Sequence, residues 1–239
     1  MLTLCITVLL YSCTATKSSS DFSNEIFVDV EQSVELPLQR GRIIPLETSD
    51  SSLLYDIVSI DQVKDKYFIR SRNKILTFDT EGNYLYNISG IGQGNKEYVN
   101  LSSFFIKNEE LCIYDFNQGR VLFFAPSGRY LRTEKAVKKS DVECAPQLIR
   151  PYGKNKYIAK NSFNGTPGYV TPALSLLDEK YTITQTLEGH SLHTGFLLFD
   201  FMNCDDNGGF ITYWEALSDT IYTVVNDCMV QPKYFVPYR

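Results

Sequence analysis

The sequence predicts an all-β protein, a β-propeller of four-stranded blades, on three observations. The first is an internal repeat. Residues 74–85 read KILTFDTEGNYL and residues 120–131 read RVLFFAPSGRYL, so Phe78, Gly82, Tyr84 and Leu85 recur 46 positions later as Phe124, Gly128, Tyr130 and Leu131. Self-similarity at a period of about 40–50 residues marks propellers and related arrays. Units this small cannot bury an apolar face alone, so the copies must pack on each other. The second observation is composition. Aromatics make up 13% of the chain, almost all of them Tyr and Phe, and together with Ile, Val and Thr they favour strands. No window of a dozen residues carries a 3.6-residue apolar period, so little helix is expected. The third is that short apolar runs come in fours, separated by polar turns.

In chain order, residues 2–12 (LTLCITVLLYS) are almost wholly apolar. The run is too short to span a bilayer as a helix, which takes about 20 residues, and it reads as a signal peptide over residues 1–12. Leu10-Tyr11-Ser12-Cys13 is similar to a bacterial lipobox, with an apolar residue three places before the cysteine to be acylated. Cys13 is therefore the expected lipidation site, and the polar, Ser-rich residues 13–24 the tether. The segment departs from the usual signal in one respect: no Lys or Arg precedes the apolar run. A lipidated Cys13 would hold the chain stably at a membrane. The cell envelope is the expected location, with the outer membrane as anchor and the leaflet open.

The propeller body spans residues 25–239, beginning with a lead-in that includes FVDV, VELPL and RGRIIPLET. Four units follow, at about 53–98, 99–143, 144–189 and 196–239. Their strand candidates are YDIVSID, KYFIRS, KILTFDT and NYLYNIS; SSFFIK, LCIYDF, RVLFFAP and RYLRTEK; PQLIRPY, KYIAKNS, ALSLLDE and YTITQTL; and LLFDFMN, GFITYWE, DTIYTVV and KYFVPY. Gly82 and Gly128 fall between the third and fourth strands, where a tight hairpin needs positive φ.

Several of these pieces resemble a known family. PLETSDSSLLYDI, FDTEGNYLYNISGIGQGNKEY, IYDFNQGRVLFFAPSGRYL and LSDTIYTV look like the six-bladed β-propeller lipoproteins of Bacteroides-type bacteria, which are related in architecture to NHL-repeat propellers. The likeness covers roughly residues 40–239. It implies six blades, whereas about four can be counted, and the DTIY segment normally sits well before the chain's end. The resemblance thus implies a chain shortened by about two blades, against the alternative of a short member that closes differently. It brings no general activity that transfers residue by residue.

The net charge of −5 argues against nucleic acid as a partner, because that role usually needs a basic face. No cofactor is implied. The loop Gly90-Ile91-Gly92-Gln93-Gly94-Asn95-Lys96-Glu97-Tyr98 lacks the Lys-Ser/Thr pair and the helix of a phosphate-binding loop. It reads as a blade connection whose glycines supply positive φ. A sharper alternative puts Lys96, Glu97 and Tyr98 at the mouth of the central channel, in contact with a ligand. Tyr213-Trp214 offers a stacking platform, and alternation lets only one of the two face a ligand.

His190 and His193, the two histidines of the chain, have H-x-x-H spacing. They lie in a glycine-flanked segment that reads as a loop, so no metal site is expected. Cys204 and Cys228 flank a predicted hairpin and could form a disulfide in an oxidising envelope. Cys112 lies in a strand and should pack as a small hydrophobe. No nucleophile motif is present and no catalytic residue is assigned. Any two acids could meet in space as a glycoside-cleaving pair, and Asp79, Glu97, Asp115 and Asp219 are candidates by arithmetic alone.

The expected function is binding or scaffolding at the envelope, with a glycan, a peptide or a partner protein as the ligand. The alternatives are a propeller lyase or hydrolase with an acidic or metal site in the channel, and a nonfunctional remnant of a longer propeller.

Overall fold

The computed structural model describes residues 41–137, 145–153, 155–162, 172, 174–187, 201–204, 211–214, 219–225 and 229–235. The signal segment, the tether, Cys13, His190, His193 and Cys228 lie outside the described residues.

Among the described residues the strands form four antiparallel sheets of four, each in sequence order. The first holds β1 (Ser59–Val63), β2 (Lys66–Ser71), β3 (Lys74–Asp79) and β4 (Tyr84–Ile88). The second holds β5 (Ser103–Lys107), β6 (Glu110–Asp115), β7 (Arg120–Phe124) and β8 (Tyr130–Lys135). The third holds β9 (Ala145–Pro151), β10 (Tyr157–Ser162), β11 (Leu174–Leu177) and β12 (Ile183–Leu187). The fourth holds β13 (Phe201–Cys204), β14 (Ile211–Trp214), β15 (Thr220–Val225) and β16 (Met229–Phe235). Each sheet has the form of a propeller blade.

The first strand begins later than YDIVSID suggests. The Asp56 carboxylate accepts from the Arg72 amide and the Ser71 hydroxyl, and the Tyr55 amide donates to Ser71 Oγ. These side-chain bonds take the place of a ladder, and pairing to β2 starts only with the Val58 amide on the Arg70 carbonyl. The second blade repeats the device, because the Val99 amide, 44 residues after Tyr55, donates to the Asp115 carboxylate at the end of β6.

Apolar faces interlock between successive blades. Val63, Phe68, Ile75 and Ile88 of the first blade pack with Phe104, Leu111, Ile113, Leu122 and Phe124 of the second. On the opposite face, Phe105, Cys112, Tyr114, Val121 and Phe123 pack with Ile149, Tyr157, Ala159, Leu177 and Tyr181 of the third. Cys112 is thus a buried hydrophobe. Ile158, Leu174, Leu176 and Leu187 of the third blade meet Tyr222 and Val224 of the fourth. In the first three blades the first strands stand nearest one another, with β5 lying beside β9 and β1. This side is the inner rim, and the fourth strand lies at the opposite edge of each sheet.

The far face of the first blade, with Ile69, Leu76 and Phe78, is covered in part by Leu46 and Leu54 of the lead-in. The Glu47 amide donates to the Gly82 carbonyl, and Glu47 Oε2 accepts from the Tyr84 amide.

The hairpin between third and fourth strands is built alike in three blades. Gly82 (φ +90°), Gly128 (φ +81°) and Tyr181 (φ +59°) occupy its positive-φ position, and their amides donate to the carbonyls of Asp79, Ala125 and Asp178. Asp79 Oδ1 accepts from the Glu81 and Asn83 amides, as Asp178 Oδ1 does from Lys180 and Thr182. The second blade has Ala125 there, followed by Pro126, whose ring presets φ instead. The turn of the third copy carries no glycine signal in the sequence because Tyr181 takes the positive-φ position.

A Cβ on Gly82 would lie 2.1 Å from the Pro45 carbonyl oxygen. Gly82→Ala should cost roughly 2–4 kcal/mol, combining left-handed strain with overpacking. Gly153, at φ +58° with nothing within 4 Å of an added Cβ, should lose only about 1 kcal/mol as Ala. Urea midpoints of the two variants measure the difference, and equal losses would refute the close-contact account. Asp79 gives a pH prediction. The Asn83 side-chain amide, followed by backbone amides, holds its carboxyl below the ordinary value. Its contribution is therefore complete above the unfolded pKa of about 3.9 and is lost as pH falls through the lower folded value. The gap in urea midpoint between wild type and Asp79→Asn should close on acidification from pH 6 toward 2. A gap that stays constant would show that the carboxylate charge plays no part.

Candidate functional site

The glycine-rich loop joins β4 to β5, yet it runs against the outer part of the second blade. The Asn95 carbonyl accepts from Thr133 Oγ1 on β8, and Lys96 Nζ stands 5.6 Å from the Tyr130 ring centroid, also on β8. β8 is the edge of the sheet opposite β5, so Lys96 sits at the outer edge and not beside the inner rim where a channel mouth was expected. Its cation rests on an aromatic face.

Glu97 turns back into its own loop, and its Oε2 accepts from the Gly94 amide. The Glu97 carbonyl accepts from Arg120 Nη2. Gly92 and Gly94 serve this carboxylate. A Cβ on Gly92 would lie 2.0 Å from Glu97 Oε2, and one on Gly94 3.0 Å from it. Gly90, Gly92 and Gly94 are not among the positive-φ glycines, so the expected backbone reason for them is replaced by a steric one.

Tyr98 is fully buried. Its hydroxyl is 2.6 Å from the Asn73 carbonyl and 3.1 Å from the Ile88 carbonyl, both in the first blade, and burial pushes its pKa well above the ordinary tyrosine value. The side chain ties the loop to the first blade and presents nothing to a ligand.

The other predicted positions lie on separate elements. Trp214 ends β14, where its backbone pairs with Phe201 and Ile221. Cys204 ends β13, opposite Ile211. Asp115 is fully buried; its carboxylate accepts from the Val99 and Gln118 amides and lies 4.0 Å from Arg120 Nε. Asp79 is held by its hairpin, and Asp219 accepts from the Thr220 hydroxyl. Among the described residues no three His, Cys, Asp or Glu side chains gather where a metal ion could sit.

Two arginines passed over in the sequence do converge. Arg70, near the end of β2, donates through Nη1 to the Ser102 carbonyl at 2.9 Å. Arg150, in β9, donates through Nη1 to the Phe104 carbonyl. Both are half-buried. Burial pulls the Arg70 pKa below its ordinary value, and the neighbouring Arg150 charge adds to this while Asp56 opposes it. Among the described residues neither guanidinium forms an ion pair with a carboxylate. The sequence signal was only an arginine at the end of a second strand and another in a first strand, with nothing to pair them.

These blades match a known family over residues 32–238, described as a domain of unknown function, DUF4934. The chain belongs to that family. No curated protein matches this sequence. Among solved structures it is similar to a protein of Bacteroides fragilis NCTC 9343 inferred to be exported, with a TM-score of 0.65 and 18% identity over 82% of this chain and 55% of that one. It is also similar to a member of the DUF4221 family from Bacteroides vulgatus ATCC 8482, with a TM-score of 0.53 and 10% identity over 82% of this chain and 61% of that one. These likenesses establish the fold. The chain spans little more than half the length of either structure.

The tie made by Tyr98 can be tested. Tyr98→Phe keeps the ring and removes the donor that joins loop and first blade, so stability should fall by roughly 1–2 kcal/mol with carbonyls left unpaired. Amide exchange should quicken in residues 88–98 and stay unchanged in β11. A variant as stable as wild type would show that the hydroxyl bond contributes nothing.

Proposed function

We propose that this DUF4934 protein is an envelope-anchored propeller-type protein that binds or scaffolds a glycan, a peptide or a partner protein. In this reading Cys13 carries the lipid, the outer membrane is the anchoring surface, and the blades form a rigid body on a polar tether. The resemblance of the lead-in and hairpin segments to six-bladed β-propeller lipoproteins supports it. The observation that carries the binding reading over a catalytic one is the state of the candidate acids. Asp79 and Glu97 spend carboxylate oxygens on backbone amides of their own turns, and Asp115 spends its two on the Gln118 amide of its turn and the Val99 amide. A general acid or nucleophile needs its carboxylate free to meet a substrate.

The anchor is tested by intact mass of the protein extracted from its native membranes, beside a Cys13→Ser variant. The expected wild-type species begins at Cys13 and carries three acyl chains, and the variant leaves the detergent phase. A wild-type chain without acyl mass that stays in the aqueous phase would overturn the anchored reading. A glycan and peptide array probed with the full chain then tests the ligand class.

A further inference from the structure

We infer that Arg70 and Arg150 form a two-point binding site for a small polycarboxylate anion at the inner rim, beside β5. The argument starts from the strand. Ser102 and Phe104 are two residues apart, and their carbonyls each hold one guanidinium, from the first and the third blade respectively. At about 3.3 Å per residue along an extended chain, the two anchoring points are roughly 7 Å apart. Two positive forks from different blades therefore stand side by side on the rim where β1, β5 and β9 meet.

Each guanidinium has five N–H donors in a planar fork. Arg70 directs Nη1 at the Ser102 carbonyl and Nε at the Arg72 carbonyl, the latter at 3.4 Å. Arg150 directs Nη1 at the Phe104 carbonyl. Among the described residues the Nη2 groups of both have no acceptor. The nearby acid Asp56 is engaged elsewhere, its Oδ1 accepting from the Ser71 hydroxyl and the Arg72 amide. Like charges held close together in a half-buried place favour a bound anion. The positions are set in advance, because each fork is already oriented by a backbone carbonyl.

The ligand class follows from the forks. A guanidinium matches a carboxylate in a bidentate, planar fashion. Two forks at this spacing fit a molecule with two carboxylates a few bonds apart better than a single tetrahedral anion, which would satisfy one fork at a time. The inference rests on the binding reading above and gives it a place. An unacylated Cys13 would sink the anchor and leave this site standing, whereas failure of the rim to bind citrate would sink this site alone.

The test is calorimetric titration of citrate, and separately of inorganic phosphate, into the full chain in detergent at low ionic strength. The expected result is saturable citrate binding at least tenfold tighter than phosphate. Arg70→Gln and Arg150→Gln should each weaken it tenfold or more. Arg42→Gln, which removes an exposed guanidinium paired with Glu81, should leave it unchanged. Citrate should also shield Arg70 and Arg150 of the wild-type chain from phenylglyoxal, a readout that needs no variant to fold. Absence of saturable citrate binding, phosphate binding as tightly, an equal loss in Arg42→Gln, or modification unaffected by citrate would each overturn the site.

Discussion

The structure depends on the burial of both faces of the second blade. Phe104, Ile113 and Leu122 are register partners facing the first blade, and Phe105, Cys112 and Phe123 are register partners facing the third. This has a consequence for register. In a sheet with one wet face, a one-residue slip would expose the core and is forbidden by polarity. Here a slip would exchange one apolar face for another, so hydrophobicity alone leaves register weakly specified. The turns must fix it. Asn108 and Glu109 both adopt positive φ between β5 and β6, the geometry of a two-residue hairpin. The Asp115 carboxylate holds the Gln118 amide between β6 and β7, and Gly128 closes β7 to β8.

Apolar packing between sheets is also nearly indifferent to small sliding motions, and polar ties between blades supply the missing direction. The Pro126 carbonyl at the tip of the second blade's hairpin accepts from Lys66 Nζ and the Tyr86 hydroxyl of the first blade. Ser103 Oγ lies within bonding distance of both the carbonyl and the amide of Ile149. Tyr157 and Tyr181 bring their hydroxyls to 2.9 Å, and Lys107 of the second blade reaches the Tyr157 hydroxyl. Among the described residues the ties join the first blade to the second at a hairpin tip and the second to the third near the inner rim and at Lys107.

The sequence was legible where one residue type had one physical reason to be present. Gly82 and Gly128 revealed the hairpins because few other residues take that φ, and the runs of four strand candidates led to all four sheets. The third hairpin was legible from its two strand runs but not from its turn. Tyr181 accepts the strain of positive φ and buries its ring against Tyr157, 4.5 Å between centroids, so the signal glycine is gone while the fold is kept. The glycine-rich loop misled for the opposite reason. Its glycines are not at positive φ, and Gly92 and Gly94 make room for the Glu97 carboxylate, a contact that no local pattern encodes. The Arg70–Arg150 pair was illegible because it joins positions 80 residues apart through carbonyls of a third segment.

The two signs of charge are used differently in this fold. The chain is acidic overall, yet the carboxylates that the repeat places at its turns are absorbed by backbone amides. An acid so placed needs only two or three neighbouring N–H groups, which every tight turn supplies. A buried guanidinium needs acceptors at the distances of a planar fork, and a strand offers one carbonyl to each. Among the described residues Arg70 and Arg150 therefore retain unused donors. The two guanidinium groups are brought together by packing blade against blade, whereas the turn carboxylates are neutralised within their own segments.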